Sequence, residues 1–430
     1  MSGAERAKRF DPVGFRRDLH RHPEPAWCEF YTTARIVEAV REIGVDAVHV
    51  GPAAIDSAER DGVPDEAALE QWRDRALDAG ADPALLETMA GGHTGAVAVL
   101  ERGDGPGIGL RVDIDALPRP ESTAEDHVPV AEGFRPPHDD AMHACGHDAH
   151  AAIGIGVLET IARDEDFEGT LRVFFQPAEE VIGGGRAMAA TAHLAEVEYL
   201  LSLHVGLDHP TGRIVGGIDE FYAVQQFEAE FTGTPTHAGA RPQDGENAIQ
   251  ALAAAIEGLY GIPRHGDGAT RVNVGRIEGG SAVNIVAESA RMDLEVRGET
   301  TGLMEYMARK ARRRLESAAR MHDCEVDLES VARAPGAESD DALAAVVGEV
   351  AAEVEGVTEI LDSAALGASE DATYLMNRVQ EGGGLACYVG VGTDHPGGHH
   401  TATFDVDEAS IPIGIEVLAG TIREIARNGV

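Results

Sequence analysis

Met142-His143-Ala144-Cys145-Gly146-His147-Asp148-Ala149-His150 puts three histidines, a cysteine and an aspartate into nine residues. An apolar run, Ala151 to Leu158, follows at once. Cys145 and His147 flank a glycine. That spacing aims two side chains the same way from an extended loop, just ahead of a helix predicted from Ala149 to Arg163. A thiolate and an imidazole so placed are natural ligands for zinc, and also serve manganese or cobalt.

Working outward, short apolar segments alternate with helical ones. Ala96 to Leu100, Ile108 to Val112, Leu171 to Phe175 and Tyr199 to Leu203 read as strands, and Leu385 to Val391 as a strand for a sheet interior. Helices are expected from Glu29 to Ile43, from Asp341 to Val354 and from Glu408 to Arg427. This alternation predicts an α/β domain with a mostly parallel sheet and functional groups at strand ends. From Gly212 the texture changes. Arg213 to Gly217, Phe221 to Phe231, Arg271 to Ile277, Ala287 to Val296 and Glu325 to Ala332 look antiparallel, with helices Asn247 to Tyr260 and Gly302 to Met321 among them. The expected result is a ferredoxin-like α+β small domain interrupting the larger one. Residues 1–212 and 333–430 then form the metal-binding domain and 213–332 the small domain. Residues 51–92 break the alternation. They hold a helical stretch around Trp72 and read as an insertion or an interaction arm.

The chemistry-bearing residues fall at strand or loop ends: Cys145 and His147, Glu179 and Glu180, His204, and His400. In an extended segment, neighbouring side chains point to opposite faces. One glutamate can then bind metal while the other takes a proton from the attacking water, as metal-assisted hydrolysis requires. Each feature alone has a plainer explanation. A histidine after an apolar strand is usually just hydrogen-bonded, and two adjacent glutamates are usually an acidic surface turn. Their joint placement at successive strand ends carries the argument.

The formal net charge of −40, from 75 acidic and 35 basic residues, makes nucleic acid and anionic membranes poor partners. Lys8 and Lys310 are the only lysines, and an acidic, lysine-poor surface fits adaptation to high salt. Met1 to Phe10 has no apolar h-region, so no signal peptide is expected, and no membrane span is predicted. Cys28, Cys145, Cys324 and Cys387 lie far apart, as in a reducing, cytoplasmic setting.

In order along the chain, the residues resemble the cocatalytic metallopeptidase and amidohydrolase family of aminoacylases, carboxypeptidase G and auxin-conjugate hydrolases. The matching stretches are Leu19 to Glu24 with Glu29 beyond, Arg111 to Pro118, Met142 to Asp148, Phe175 to Glu180 and Leu203 to Val205. Further along come Thr236-His237-Ala238, Asn284 to Val286, Ser369 to Asp371, and His400 ahead of Phe404 to Glu408. The resemblance implies a zinc-exopeptidase-like catalytic domain with an inserted lid or dimerisation domain. It implies that Cys145, His147, Glu180, His204 and His400 hold one or two divalent ions, manganese, zinc or cobalt. Glu179 is then the general base and, later, the acid for the leaving amine. His237 corresponds to a histidine that reaches the reacting carbonyl, often across a dimer. Asn284 and Arg297 are expected to hold the substrate. His399 competes with His400, and the Phe404–Glu408 alignment favours His400.

The 51–92 segment, with Gly62 to Glu66, resembles that of the p-aminobenzoyl-glutamate hydrolases. The implied reaction is hydrolysis of an N-acyl or aroyl amino acid, p-aminobenzoyl-glutamate foremost. The alternatives are a general N-acyl-amino-acid hydrolase or dipeptidase and, in another class, a non-catalytic binding subunit. The intact residue set argues against the last of these. The implied assembly is a homodimer, or a heteromer with a related subunit.

Overall fold

The structure, a computed structural model, describes residues 9–395 and 397–430; residues 1–8 of the N-terminal stretch considered above lie outside it. The chain forms two compact units. Among the described residues, one comprises 9–219, Glu338–Leu366 and Tyr374–Val430, and the other Glu220–Ala337 and Gly367–Thr373.

Among the described residues, the larger unit holds an eight-stranded sheet in the order β1-β2-β4-β3-β5-β12-β6-β11. The strands are β1 (Ala47–Val50), β2 (Ala96–Arg102), β3 (Gly107–Asp113), β4 (Gly169–Gln176), β5 (Tyr199–Val205), β6 (Arg213–Asp219), β11 (Glu359–Ala365) and β12 (Leu385–Val391). The central block β4-β3-β5-β12 is parallel throughout. Its strands are near-continuous apolar runs because both faces are covered: Ile108, Leu110, Val112, Leu171, Val173, Leu201, Leu203 and Val389 are all fully buried. Parallel neighbours end on the same edge. The register Asp113↔Gln176 and Gly390↔His204 therefore brings the carboxyl ends of four strands together.

Helix His147–Ala162 covers this block and begins two residues earlier than the sequence suggests. Gly146 makes the turn at φ 91, and a Cβ there would sit 2.5 Å from the Val205 side chain. Only glycine meets both demands.

One expectation needs correction. Arg213–Asp219 does not belong to the small unit: β6 pairs antiparallel with β12 and parallel with β11. Its isolated apolar run fits either sheet, and β11, largely exposed and carrying Asp362 and Ser363, does not read as a strand. The small unit accordingly starts at Glu220 and ends at Ala337, not at 213 and 332. Residues 51–92, expected as an insertion or an interaction arm, form a packed insertion. Helices Glu66–Asp78 and Pro83–Thr88 pack on helix Phe30–Ile43, burying Leu69, Trp72, Leu85 and Leu86. Trp27 Nε1 donates to the Asp61 carbonyl at 2.7 Å.

The smaller unit runs strand-helix-strand-strand-helix-strand. It comprises β7 (Ala223–Thr232), helix Ala248–Tyr260, β8 (Thr270–Gly279), β9 (Ser289–Gly298), helix Thr301–Met321 and β10 (Glu325–Ala334). The antiparallel order β10-β7-β9-β8 is ferredoxin-like. Along β9, Ala290, Met292, Leu294 and Val296 are buried while Arg291, Asp293, Glu295 and Arg297 face away. The buried set meets Phe227, Phe231, Leu252 and Met307 in the core.

Candidate active site

The carboxyl ends of β3, β4, β5 and β12 converge on His147. This ring is buried, and its Nδ1 lies 3.2 Å from Asp115 Oδ1. Its Nε2 has no hydrogen-bond partner, with Asp113 Oδ1 at 3.6 Å and Glu180 Oε1 at 4.0 Å. Ligand atoms of Cys145, His147 and His204 lie within 4.8 Å of one another, as do those of Cys145, Glu180 and His400, and of His147, Glu179 and Glu180. The structure thus gathers Cys145, His147, Glu179, Glu180, His204 and His400 into one cluster.

The local chemistry suits a divalent cation. Burial alone would lower the His147 pKa, but Asp113, Asp115 and Glu180 overcome it and push it up to about 10. A buried site that draws a proton this strongly lacks positive charge, and a bound ion would supply it. His204 is the converse. Burial, with His150 and His399 nearby, drives its pKa well down, so the ring is neutral. Its Nδ1 donates to the Val205 carbonyl at 2.7 Å, which leaves the Nε2 lone pair facing Cys145 Sγ at 3.4 Å. Sulfur, imidazole and carboxylate together accommodate zinc, manganese or cobalt.

Glu179 and Glu180 sit in a turn, not in an extended segment. Ala178 just before them is left-handed at φ 56, which costs about 1–2 kcal/mol. Buried Glu29 holds this bend by accepting the Ala178 N–H at 2.8 Å. Asp115 Oδ2 accepts the Glu180 N–H at 3.0 Å, so one carboxylate fixes both His147 and the Glu180 backbone. This turn, not extended-strand alternation, brings both glutamates to His147, with ligand atoms of the three within 4.8 Å of one another.

The two late histidines separate. His399 accepts the Leu207 N–H on Nε2 at 3.0 Å and turns Nδ1 toward Cys145 Sγ at 3.5 Å. His400, left-handed at φ 60, points Nε2 at Glu180 Oε2, 3.5 Å away, while its N–H is held by the Ala144 carbonyl at 2.8 Å.

Of the residues the opening stretch leaves over, His150 pairs through Nδ1 with Asp113 and accepts the Val205 N–H on Nε2 at 2.8 Å. Both ring nitrogens are occupied, so it positions its neighbours and is no ligand. Asp148, in the first turn of the helix, accepts the Ala149 N–H on Oδ1 at 2.9 Å. Its Oδ2 takes Arg16 Nε and His20 Nδ1, both at 2.8 Å, and His20 Nε2 reaches Glu121 at 3.0 Å. This buried chain braces the Cys145–His147 loop from behind. Sequence reasoning assigned no role to Asp113, Asp115, Glu29 or Arg111. The alternate carboxylates at the end of β3 were the visible signal for the first two. Arg111, buried in a strand, pairs with Asp113 at 2.7 Å and Gln176 at 2.8 Å.

The remaining expected residues lie in the smaller unit. His237 is exposed, and its Nδ1 accepts N–H bonds from Gly239 at 3.2 Å and Ala240 at 3.1 Å. The proton is thereby assigned to Nε2, a donor aimed outward. The Ala238 N–H bonds the Asn284 carbonyl at 3.0 Å, so His237 and Asn284 lie on neighbouring segments. Arg297 lies near the carboxyl end of β9. It is bound bidentately by Glu295, at 2.9 and 3.0 Å, and by Ser369 at 3.1 Å.

Comparison with known proteins gives a consistent result. The profile of peptidase family M20/M25/M40 matches residues 109–424. An indole-3-acetyl-aspartic acid hydrolase of Enterobacter agglomerans is 40% identical over 95% of this chain and 94% of its own length. One subunit of the p-aminobenzoyl-glutamate hydrolase of Escherichia coli strain K12 is 38% identical over the same shares. The crystal structure of an aminobenzoyl-glutamate utilization protein from Klebsiella pneumoniae superposes with a TM-score of 0.82 at 34% identity, covering 97% of each chain.

Proposed function

The chain belongs to peptidase family M20/M25/M40 and is a metal-dependent amidohydrolase, and from that premise we propose that it cleaves the amide between an aromatic acid and an acidic amino acid. The observation that carries the proposal is the unsatisfied His147 Nε2 within the buried Cys145, His204 and Glu180 cluster, with Glu179 beside it. Cys145, His147, Glu180, His204 and His400 would hold one or two divalent ions, with manganese and zinc as the first choices. Such ions polarise a carbonyl and bring the pKa of water toward neutrality. Glu179 takes a proton as the water oxygen bonds to the amide carbon, then returns it to the nitrogen as the C–N bond breaks. His237 donates from Nε2–H to the oxyanion. Asn284 and Arg297 engage the amino-acid portion, Arg297 by exchanging Glu295 for a substrate carboxylate.

p-Aminobenzoyl-glutamate is the first substrate and indole-3-acetyl-aspartate the second, the latter favoured by the 40% identical relative. Both join an aromatic acid to a dicarboxylic amino acid. Because the Escherichia coli relative is named as one subunit of its hydrolase, we propose an assembly, either a homodimer or a heteromer with a related chain. No described helix is long and apolar enough to cross a membrane, and four buried cysteines far apart in sequence suit a reducing cytoplasm. The test measures release of p-aminobenzoate and indole-3-acetate against a panel of N-acetyl amino acids and dipeptides. Turnover should vanish on chelation and return with manganese or zinc. Chelator-resistant cleavage would sink the metal assignment, and faster cleavage of the simple N-acetyl substrates would sink the substrate class.

A further inference from the structure

Away from the metal cluster, the larger unit carries a cavity of about 290 Å³, near the small end of the roughly 300–1,000 Å³ seen for ligand pockets. Its walls come from three separate segments. His22 and Tyr31 stand on one side, Trp72 and Arg75 of helix Glu66–Asp78 on another, and Pro137 with His138 close it. None of these residues belongs to the cluster around His147.

The walls are mainly flat and apolar. Trp72 is 8% exposed, and His138 meets it edge-on with ring centroids 5.8 Å apart. His22 and Tyr31 lie ring against ring at 4.3 Å. Two polar atoms in this setting lack partners. Arg75 lies with Cζ 4.4 Å over the Trp72 ring and pairs through Nη2 with Asp140, yet its shielded Nη1 makes no hydrogen bond. His138 Nδ1 is likewise shielded and unbonded. Burial, then Arg75, lowers the His138 pKa, so this ring is neutral. Glu24, which also lines the cavity, presents no free acceptor pair, because its two oxygens take the Tyr31 and Thr32 N–H groups at 2.8 Å.

An unpartnered guanidinium nitrogen beside an indole calls for a planar anion. The flat walls call for a ring behind it. Asp78 and Asp140 at the same site disfavour a second negative charge. We propose that this cavity binds a small aromatic monocarboxylate, whose carboxylate takes Arg75 Nη1 and the His138 ring while its own ring packs between Tyr31 and Trp72. The acid product of the proposed reaction is of this class, so occupancy would report product level. Recognition of such an acid by this cavity does not require that reaction.

Calorimetric titration of the full-length protein with benzoate, before and after chelation, tests the proposal. One benzoate per chain should bind in both states, and neutral benzamide should bind about ten-fold more weakly, because the charge-assisted bond is lost. Arg75→Met should weaken benzoate about ten-fold or more, with metal content unchanged. Because that variant also breaks the Asp140 pair, Ala79→Trp provides a second arm. Ala79 is an exposed lining residue, and the added indole should plug the cavity and abolish binding. Binding that disappears on chelation would place benzoate in the metal cluster and overturn the proposal. No saturable binding, or binding unchanged in both variants, would overturn it equally.

Discussion

At the carboxyl ends of the central strands Cys145, His147, Glu179 and His204 are buried, with Glu180 half-buried and His400 exposed at the rim, whereas both His237 and Asn284 of the smaller unit are exposed. The contrast follows from what each region must do. An ion site needs donors held in place before the ion arrives, since reorganising them would cost affinity. A group that meets a substrate at one step needs a fixed donor direction and free access. His237 has both, with Nδ1 anchored by two backbone N–H groups and Nε2 open.

The sharpest way to break this contrast is to compare two neighbours within the buried cluster. His204→Ala should empty the site, with a loss of metal affinity beyond the roughly 10–100-fold typical of removing an outer partner, and activity should fall to background. Glu179→Gln should keep its metal yet lose roughly 1,000-fold in kcat. Metal analysis of the purified variants alongside kinetics decides. A metal-replete Glu179→Gln with full turnover ends the assignment. On the exposed side, His237→Ala should lower kcat roughly 100-fold or more while metal content and melting temperature hold. A drop in metal content there would show that the two regions are not separate in role.

A smaller effect concerns the brace behind the loop. His20 is fully buried. Burial and Arg16 lower its pKa, but Asp148 and Glu121 raise it to about 9 from 6.5. The folded state therefore holds this proton more tightly than the unfolded one. The resulting stability is full below pH 6.5 and is lost as pH rises through about 9, worth about 3 kcal/mol at most. Denaturant melts across this window should show a decline that His20→Asn flattens. The smallest expected effect is on substrate capture. A chain of net charge −40 repels a dicarboxylate, so kcat/KM should rise a few-fold between about 0.05 and about 1 M salt. A fall with salt would point instead to a locally positive entrance.

The cluster was legible because its members are reactive residue types placed at the ends of apolar strands, and strand ends in a parallel block share one edge. Less visible was whatever depends on a partner far along the chain. Nothing near Glu29 announces that it supports Ala178, and His20 meets Glu121 only after the chain has crossed the sheet. The boundary at Arg213 has the same cause: Ile214, Val215 and Ile218 make a strand in either sheet, and their partner β11, interrupted by Asp362 and Ser363 and with no buried residue, gives no strand pattern of its own. The small unit reads more easily because the alternation along β9 needs only itself.

His150 carries a further consequence. The ladder between β3 and β5 stops at Arg111 and Ser202, before either strand reaches the cluster. Beyond it, the Asp113 carboxylate and the Val205 N–H are joined through the His150 ring. An imidazole acts as the last rung, and its width sets the gap between Asp113 and the strand that carries His204. Cys145, Glu180 and His400 hang from loops and turns, so in the proposed ion site they are the ligands that would adjust to ions of different radius.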